Sequence, residues 1–129
     1  MRPLALLLLL CGCTMNRSFP AVTTVTGVDL RRYADSGFFF SPDPYTGPHD
    51  PVGLIVVTGH AKADWDGSDW TFAHVSGQGL LDSAYAVARK LGADAFVEMT
   101  FKPVFRRASL QTEIPGLELS GFAIRRRKT

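Results

Sequence analysis

Beyond residue 13 this sequence contains no cysteine. Its only two cysteines among 129 residues are Cys11 and Cys13. A disulfide, a thiolate metal site and a cysteine nucleophile are therefore excluded from the rest of the chain. A domain built there must be stabilised by a packed apolar core, and the length of the chain suffices for a single domain of ordinary size.

The sequence also lacks a strong excess of either charge and the common catalytic motifs. Fourteen Lys and Arg residues face twelve Asp and Glu residues, for a net charge of +2. This balance gives no argument for nucleic acid as a partner. The sequence has neither a G-x-S-x-G nucleophile elbow nor an H-E-x-x-H pair, so a hydrolase has no support. We therefore expect a protein that is not an enzyme.

The first residues predict export. Arg2 precedes the apolar run Leu4–Leu10, which is typical of a signal peptide and far shorter than the roughly 20 residues of a membrane-spanning helix. The sequence Leu10-Cys11-Gly12-Cys13 resembles the lipobox of bacterial lipoproteins. We expect residues 1–12 to be a lipoprotein signal peptide and Cys13 to carry a covalent diacylglycerol and acyl lipid such as palmitate. The alternative is a plain secretory signal.

The residues after Cys13 predict where the protein resides. Residues 13–21 form the lipidated N-terminus and a tether, and residues 22–129 form a single domain. In lipoproteins that this sequence resembles, an Asp directly after the lipidated cysteine retains the protein in the inner membrane, and an acidic cluster within the first few residues directs it to the cell surface. Here Thr14 follows the cysteine, and the next residues contain no acidic cluster. We expect a lipid-anchored protein on the periplasmic side of the outer membrane. Its expected partners are the membrane, an envelope protein or a second copy of itself.

The hydrophobic pattern predicts an α+β domain, in which a mostly antiparallel sheet carries one main helix on one face. The basic run Arg125–Lys128 is either a solvated tail or a contact for anionic lipid head groups. A helical turn is predicted between Asp29 and Gly37, and an irregular proline-rich loop at Ser41–Pro51. The pattern of residues 108–114 fits either a strand or a loop. The predicted strands are Ala21–Val28, Val52–Ala61, Trp70–Val75, Ala93–Phe105 and Leu117–Arg125.

The main helix is predicted at Gln78–Leu91. Ser76 is expected to cap its N-terminus, and Gly92 suits the left-handed residue that ends a helix. Arg89 lies outside the apolar stripe, whereas Leu91 is expected to face the sheet. The apolar stripe consists of Leu80, Leu81, Ala84, Val87, Ala88 and Leu91.

The strands carry further expectations. Val52–Ala61 is apolar on both alternations, which predicts a strand covered on both sides. Ala95, Val97, Met99 and Phe101 are expected to share one face of their strand. Pro115-Gly116 suits a type II turn before the closing strand.

A candidate metal site lies around Asp66-Gly67, a pair typical of a two-residue hairpin turn. Such a turn places Asp64 opposite Asp69, with Asp66 at the tip, and these three carboxylates form either a Ca²⁺ site or a solvated acidic turn.

Two histidines extend this candidate site. His60 and His74 lie on the two strands that the hairpin is expected to join, so they can approach each other across the ladder. With Asp64 they would suit Zn²⁺ or Ni²⁺. The alternative is that the two imidazoles bond backbone carbonyls or are exposed.

Two segments resemble a known family. Ala84–Val97, with the sequence Ala-Tyr-Ala-Val-Ala-Arg-Lys-Leu-Gly-Ala-Asp-Ala-Phe-Val, and Glu118-Leu-Ser-Gly-Phe-Ala-Ile124 resemble the YbjQ-like family, described as heavy-metal-binding, and the related RcsF-like fold. Gly37-Phe-Phe-Phe-Ser-Pro and Pro44-Tyr-Thr-Gly are similar to uncharacterised lipoproteins of the Bacteroidetes type. RcsF-like domains rely on disulfides, which are excluded here, so the resemblance implies the fold and not stress sensing or cysteine-based metal binding.

Overall fold

The computed structural model describes residues 27–65, 67, 70–72, 75–110 and 112–129. They form one small α+β domain, as the sequence predicts. The predicted signal peptide, the tether and most of the predicted strand Ala21–Val28 lie outside the described residues. The elements in chain order are helix α1 (Arg31–Asp35), strands β1 (Phe39–Phe40), β2 (His49–His60), β3 (Ala63–Trp65) and β4 (Trp70–Phe72), helix α2 (Gly77–Lys90), and strands β5 (Ala95–Arg107) and β6 (Glu113–Arg126).

The main sheet has four strands in the order β1-β5-β6-β2. The β5–β6 and β2–β6 pairs are antiparallel, and only the short β1 pairs in parallel, with β5. The sheet is therefore mostly antiparallel, as expected, with one parallel edge. Strands β3 and β4 form a separate two-stranded sheet.

Helix α2 covers one face of the main sheet. The Ser76 hydroxyl accepts a hydrogen bond from the Gly79 N–H at 3.1 Å, and Gly92 has the left-handed φ of 83°. Both predicted helix ends are confirmed. The residues that fill the core between helix and sheet include Leu80, Leu81, Ala84 and Ala88 of α2 and Ile55, Phe96 and Leu119 of the strands. None of the described helices is long and apolar enough to span a membrane.

The last residue of the predicted apolar stripe does not reach the core. Leu91 is 51% exposed, and Val87 is also largely exposed. The prediction that Leu91 faces the sheet is therefore wrong. Leu91 is the C-cap residue of α2, one position beyond the last helical residue, and the chain turns at Gly92 before β5 begins at Ala95, so its side chain stays exposed at the helix end.

Helix α1 packs on the side of α2 through a polar network around a buried tyrosine. The Tyr33 hydroxyl donates to Asp82 at 2.5 Å and accepts from Gln78 at 2.8 Å, and Arg32 also pairs with Asp82. Burial raises the pKa of Tyr33, while the bond from its hydroxyl lowers the pKa of the Asp82 carboxyl. The predicted turn after Asp29 is present, with Asp29 accepting from the Arg31 N–H.

A β-bulge interrupts β5. Val97 pairs with Phe122 and Thr100 pairs with Ser120, so Glu98 and Met99 together lie opposite one residue of β6. The bulge reverses the alternation. Ala95 and Val97 lie on the face away from α2, whereas Met99 and Phe101 pack with the helix-side core. The prediction that Ala95, Val97, Met99 and Phe101 share one face is therefore wrong.

Strand β6 begins earlier than predicted. Pro115 and Gly116 lie inside it, paired with Phe105 and Val104, so the predicted type II turn is wrong. A Cβ at Gly116 would lie 2.6 Å from the Gly59 carbonyl oxygen, so glycine serves close strand packing at this position. The chain reverses instead between Arg107 and Glu113, which pair with each other, and there the Ala108 N–H donates to the Thr112 carbonyl at 2.9 Å.

Strand β2 is longer than predicted and begins at His49, inside the expected loop. Its face toward α2 is covered at Ile55, but Leu54 and Val56 on the other face are largely exposed. The expectation of a strand covered on both sides is therefore wrong. Among the described residues, β2 pairs only with β6 and is an edge of the sheet.

A hairpin is present, but it joins the short β3 to β4 and not the strand that carries His60, which pairs with β6 instead. Trp65 pairs with Trp70 and Asp64 pairs with Thr71, so four residues separate β3 from β4. The two-residue turn and the pairing of Asp64 with Asp69 are therefore wrong. Asp66 and Asp69 lie outside the described residues.

Candidate binding groove on the open face of the sheet

The face of the sheet opposite α2 carries a row of apolar side chains. Phe122 in the central strand β6 pairs with Leu54 of β2 on one side and with Val97 of β5 on the other. Val97 is buried, whereas Leu54 and Phe122 are largely exposed. These three strands therefore present a continuous apolar surface that no described helix covers.

The loop between β1 and β2 closes one side of this surface. Its start is bonded along the edge of β5, because the Ser41 N–H donates to the Phe96 carbonyl at 3.0 Å and the Met99 N–H donates to the Ser41 carbonyl at 3.1 Å. Tyr45 then packs over a buried cluster of Ala95, Val97 and Ile124. Tyr45 therefore forms one wall of a groove on the open face.

A groove of about 450 Å³ lies between this wall and the exposed side chains of β2 and β6. Its floor is formed by Val97 and Phe122, and Leu54 and Pro51 lie on its far side. This volume is within the range of small-ligand sites. It also suits one or two apolar side chains of a protein partner.

Glu98 supplies a carboxylate at the rim of the groove. It is the bulge residue of β5 and, among the described residues, the only non-glycine with positive φ, at 53°. The Glu98 N–H donates to the Asp43 carbonyl at 3.3 Å, which ties the bulge to the loop that carries Tyr45. The exposed side chain makes no ion pair within the described part of the chain. A residue with this uncommon backbone conformation at the rim of a groove is a candidate for a binding role.

His49 supplies an imidazole to the same groove. Its Nδ1 lies 2.8 Å from the Gly47 carbonyl oxygen, and its ring stands edge-on to Tyr45 at 5.7 Å between centroids. The bond to Gly47 fixes the ring, so Nε2 is the nitrogen left to a ligand. The groove thus combines apolar walls with one carboxylate and one imidazole.

The predicted metal ligands are not brought together by the described structure. His60 ends β2 in the main sheet, where it pairs with Gly116, whereas Asp64 lies in the separate β3–β4 sheet. Asp66, Asp69 and His74 lie outside the described residues. Among the residues that the structure does describe, no group of three His, Asp or Glu side chains could hold a metal ion.

The groove residues were not singled out by sequence reasoning. One signal is present, since Val52–Ala61 is apolar on both alternations, a pattern that predicts burial on both faces. One of those faces is instead the exposed apolar surface around Leu54. Tyr45 and Glu98 gave no such signal, because one sits in a proline-rich loop and the other alternates as an exposed strand residue.

Comparison with known proteins gives the fold and nothing finer. No family model matches this chain, and no curated protein sequence is similar to it. A solved structure from Pediococcus pentosaceus, a protein of unknown function in the DUF74 family, matches with a TM-score of 0.50. The match covers 70% of this chain and 99% of that chain at 10% sequence identity. The chain therefore shares its fold with a DUF74 family protein.

Proposed function

We propose that this protein is an exported lipoprotein of the cell envelope whose domain is a non-enzymatic binding module. The observation that carries the binding role is the open sheet face, where Leu54, Val56 and Phe122 stand largely exposed around the groove. Contiguous exposed apolar surface of this kind marks interaction sites in soluble domains. A segment of an envelope protein that inserts apolar side chains into the groove is the proposed partner.

The fold and the sequence resemblance support placement among YbjQ-like and RcsF-like domains, and that placement is part of the proposal. Its heavy-metal-binding label is not carried over through cysteines, because none follows Cys13. A divalent-metal role for His60, His74 and the Asp64/Asp66/Asp69 segment rests on the sequence pattern alone.

The anchor is tested by Cys13→Ser. The Cys13 thiol accepts the diacylglyceryl group, so the variant loses palmitate labelling and either leaves the membrane fraction or accumulates unprocessed. Retention in the membrane fraction with unchanged mobility and labelling would contradict the anchor.

The side of the membrane is tested by adding protease to intact cells. The domain stays uncut until the outer membrane is permeabilised, because residues 14–18 carry no carboxylate to direct surface export. Digestion in intact cells would place the domain outside.

The groove is tested with a photo-crosslinking residue introduced at one of two equally exposed positions. Leu54 is 63% exposed beside the groove, and Phe105 is 64% exposed toward the far end of the β5–β6 hairpin. We expect crosslinks to a partner from position 54 and not from position 105, and we expect Phe122→Ala to abolish them. Equal yields from both positions, or crosslinks that survive Phe122→Ala, would refute the groove as the binding surface.

A further inference from the structure

One end of the domain gathers basic residues from two distant parts of the sequence. β6 ends between the start of β5 and the start of β2, so its last residues lie at the end of the sheet where α2 also stops. The Arg125 guanidinium donates to the Gly92 carbonyl at 3.0 Å and so joins the two segments. We call this surface the basic end, and it consists of Arg89, Lys90, Arg125, Arg126, Arg127 and Lys128.

Only part of this charge is neutralised within the domain. Arg126 pairs with Asp94 at 3.3 Å, and Arg127 pairs with Asp50, whose pKa it holds below the usual range. The third nearby carboxylate, Asp35, precedes the Gly37 carbonyl that Arg126 also bonds.

The other four basic side chains form no ion pair within the described residues, although Arg125 lies across the ladder from Asp50 and contributes to the lowering of its pKa. They are Arg89, Lys90, Arg125 and Lys128, all of them exposed. Six basic side chains thus face three acidic ones at this end.

Apolar side chains are interspersed with these charges. Leu91 lies beside Gly92 at the exposed end of α2, and the Arg126 guanidinium stands 5.6 Å from the centre of the exposed Phe39 ring. A surface that mixes exposed basic side chains with exposed leucine and phenylalanine suits the interface of an anionic bilayer, where both kinds of group are stabilised.

The tether is long enough to allow this contact. The described chain begins at Gly27, and the next residue, Val28, lies beside Gly77 at the opposite end of α2. A helix of 14 residues is about 21 Å long. The predicted tether after Cys13, residues 14–21, spans about 26 Å when fully extended, which exceeds this length. The basic end can therefore turn toward the membrane that holds Cys13.

We propose that the basic end docks on anionic phospholipid head groups and fixes the orientation of the anchored domain. This inference rests on the proposed lipid anchor at Cys13. In the docked orientation the β5–β6 hairpin points away from the bilayer, and the open sheet face stands at its side.

The absence of cysteine after residue 13 allows a direct test of this orientation. Leu91→Cys places a unique thiol at the basic end, and Leu110→Cys places one at the far turn of the hairpin, where Leu110 is 92% exposed. Each lipidated variant carries a nitroxide spin label and is reconstituted into vesicles that contain a Ni²⁺-chelating lipid. The vesicles consist of phosphatidylcholine alone or of phosphatidylcholine with phosphatidylglycerol. Relaxation of the spin label by Ni²⁺ reports its proximity to the membrane.

We expect strong relaxation at position 91 only with phosphatidylglycerol and at low salt, and weak relaxation at position 110 throughout. Arg89→Gln with Lys90→Gln should lower the ratio of docked to undocked protein about thirtyfold, from about 1 kcal/mol per basic side chain. The matched control, Arg106→Gln with Arg107→Gln, removes the same charge at the far end of β5 and should leave the ratio unchanged.

Equal relaxation at both positions, independence from phosphatidylglycerol, or equal effects of the two double variants would overturn the docking proposal. The proposed lipid anchor has its own test, because wild-type protein that takes up the spin label at a free Cys13 thiol is not lipidated. In that case cosedimentation of the two double variants with the same vesicles tests the basic end without the anchor, and equal binding by both again overturns it.

Discussion

The stability of this domain should depend on where each leucine of α2 lies relative to the sheet. Leu81 is fully buried at 0% exposure, whereas Leu91 at the end of the same helix is 51% exposed. Complete burial of a leucine side chain is worth about 1.5–3 kcal/mol, and truncation leaves a cavity that adds to the loss. We therefore expect Leu81→Ala to lower the free energy of unfolding by about 3–4 kcal/mol. Leu91→Ala should lower it by less than about 1 kcal/mol.

A urea titration followed by circular dichroism separates these two effects. With a slope of about 1–3 kcal/mol per molar for a small domain, Leu81→Ala moves the midpoint by at least about 1 M. Leu91→Ala moves it by much less, with the slope unchanged in both variants. Equal shifts for the two variants would show that the end of α2 is packed as firmly as its middle, and the placement of the helix on the sheet would be refuted.

Two further predictions concern strain and pH. Glu98→Gly relieves a positive φ at the β5 bulge, so it should raise the free energy of unfolding by about 0.5–1 kcal/mol in the same titration. Crosslinking from the groove should weaken in this variant because the carboxylate is gone. A destabilised variant would show instead that the side chain holds the bulge in place. The Asp82 pKa is lowered in the folded state, chiefly by the bond from Tyr33, so the stability it contributes is present above about pH 4 and is lost as the pH falls through the folded-state pKa. Asp82→Asn should therefore flatten the decline of stability below about pH 4, and acid unfolding curves of equal steepness would contradict this.

Helix α2 could be predicted because its signals are local. Ser76 and Gly92 act within a few residues of the helix ends, and the apolar stripe follows from the helical period alone. The period shows on which side Leu91 projects, but not that its side chain stays exposed at the end of the helix. The burial of a side chain depends on the partner element, which the sequence of the helix does not contain.

The strands were harder to predict because their faces depend on pairing. The bulge at Glu98 adds one residue against β6 and exchanges the two faces of β5, a change that strict alternation cannot reveal. Likewise, Pro115-Gly116 has the composition of a turn, yet the glycine is needed because β2 passes so closely. Both features arise from contacts between segments far apart in the chain.

The groove followed neither from motifs nor from composition. Leu54 and Phe122 are ordinary strand residues, and their exposure comes from a sheet that has a long helix on only one side. A hydrophobic pattern shows that a face is apolar, but whether that face is covered depends on the elements available in the rest of the chain. Here the described residues supply a loop with Tyr45 that covers only part of it.

The long β5–β6 hairpin also has a consequence for the order of folding. Its strands are neighbours in the chain, since Arg107 pairs with Glu113 across a short turn, and α2 directly precedes β5. Strand β2 pairs with β6 across most of the domain, and β1 pairs with β5 across a similar separation. Closing such long loops costs entropy before any contact offsets it, so α2, β5 and β6 should assemble first and β2 should dock late. Until β2 docks, the hairpin offers an unpaired strand edge at β6, and this edge makes the partly folded chain most prone to aggregation.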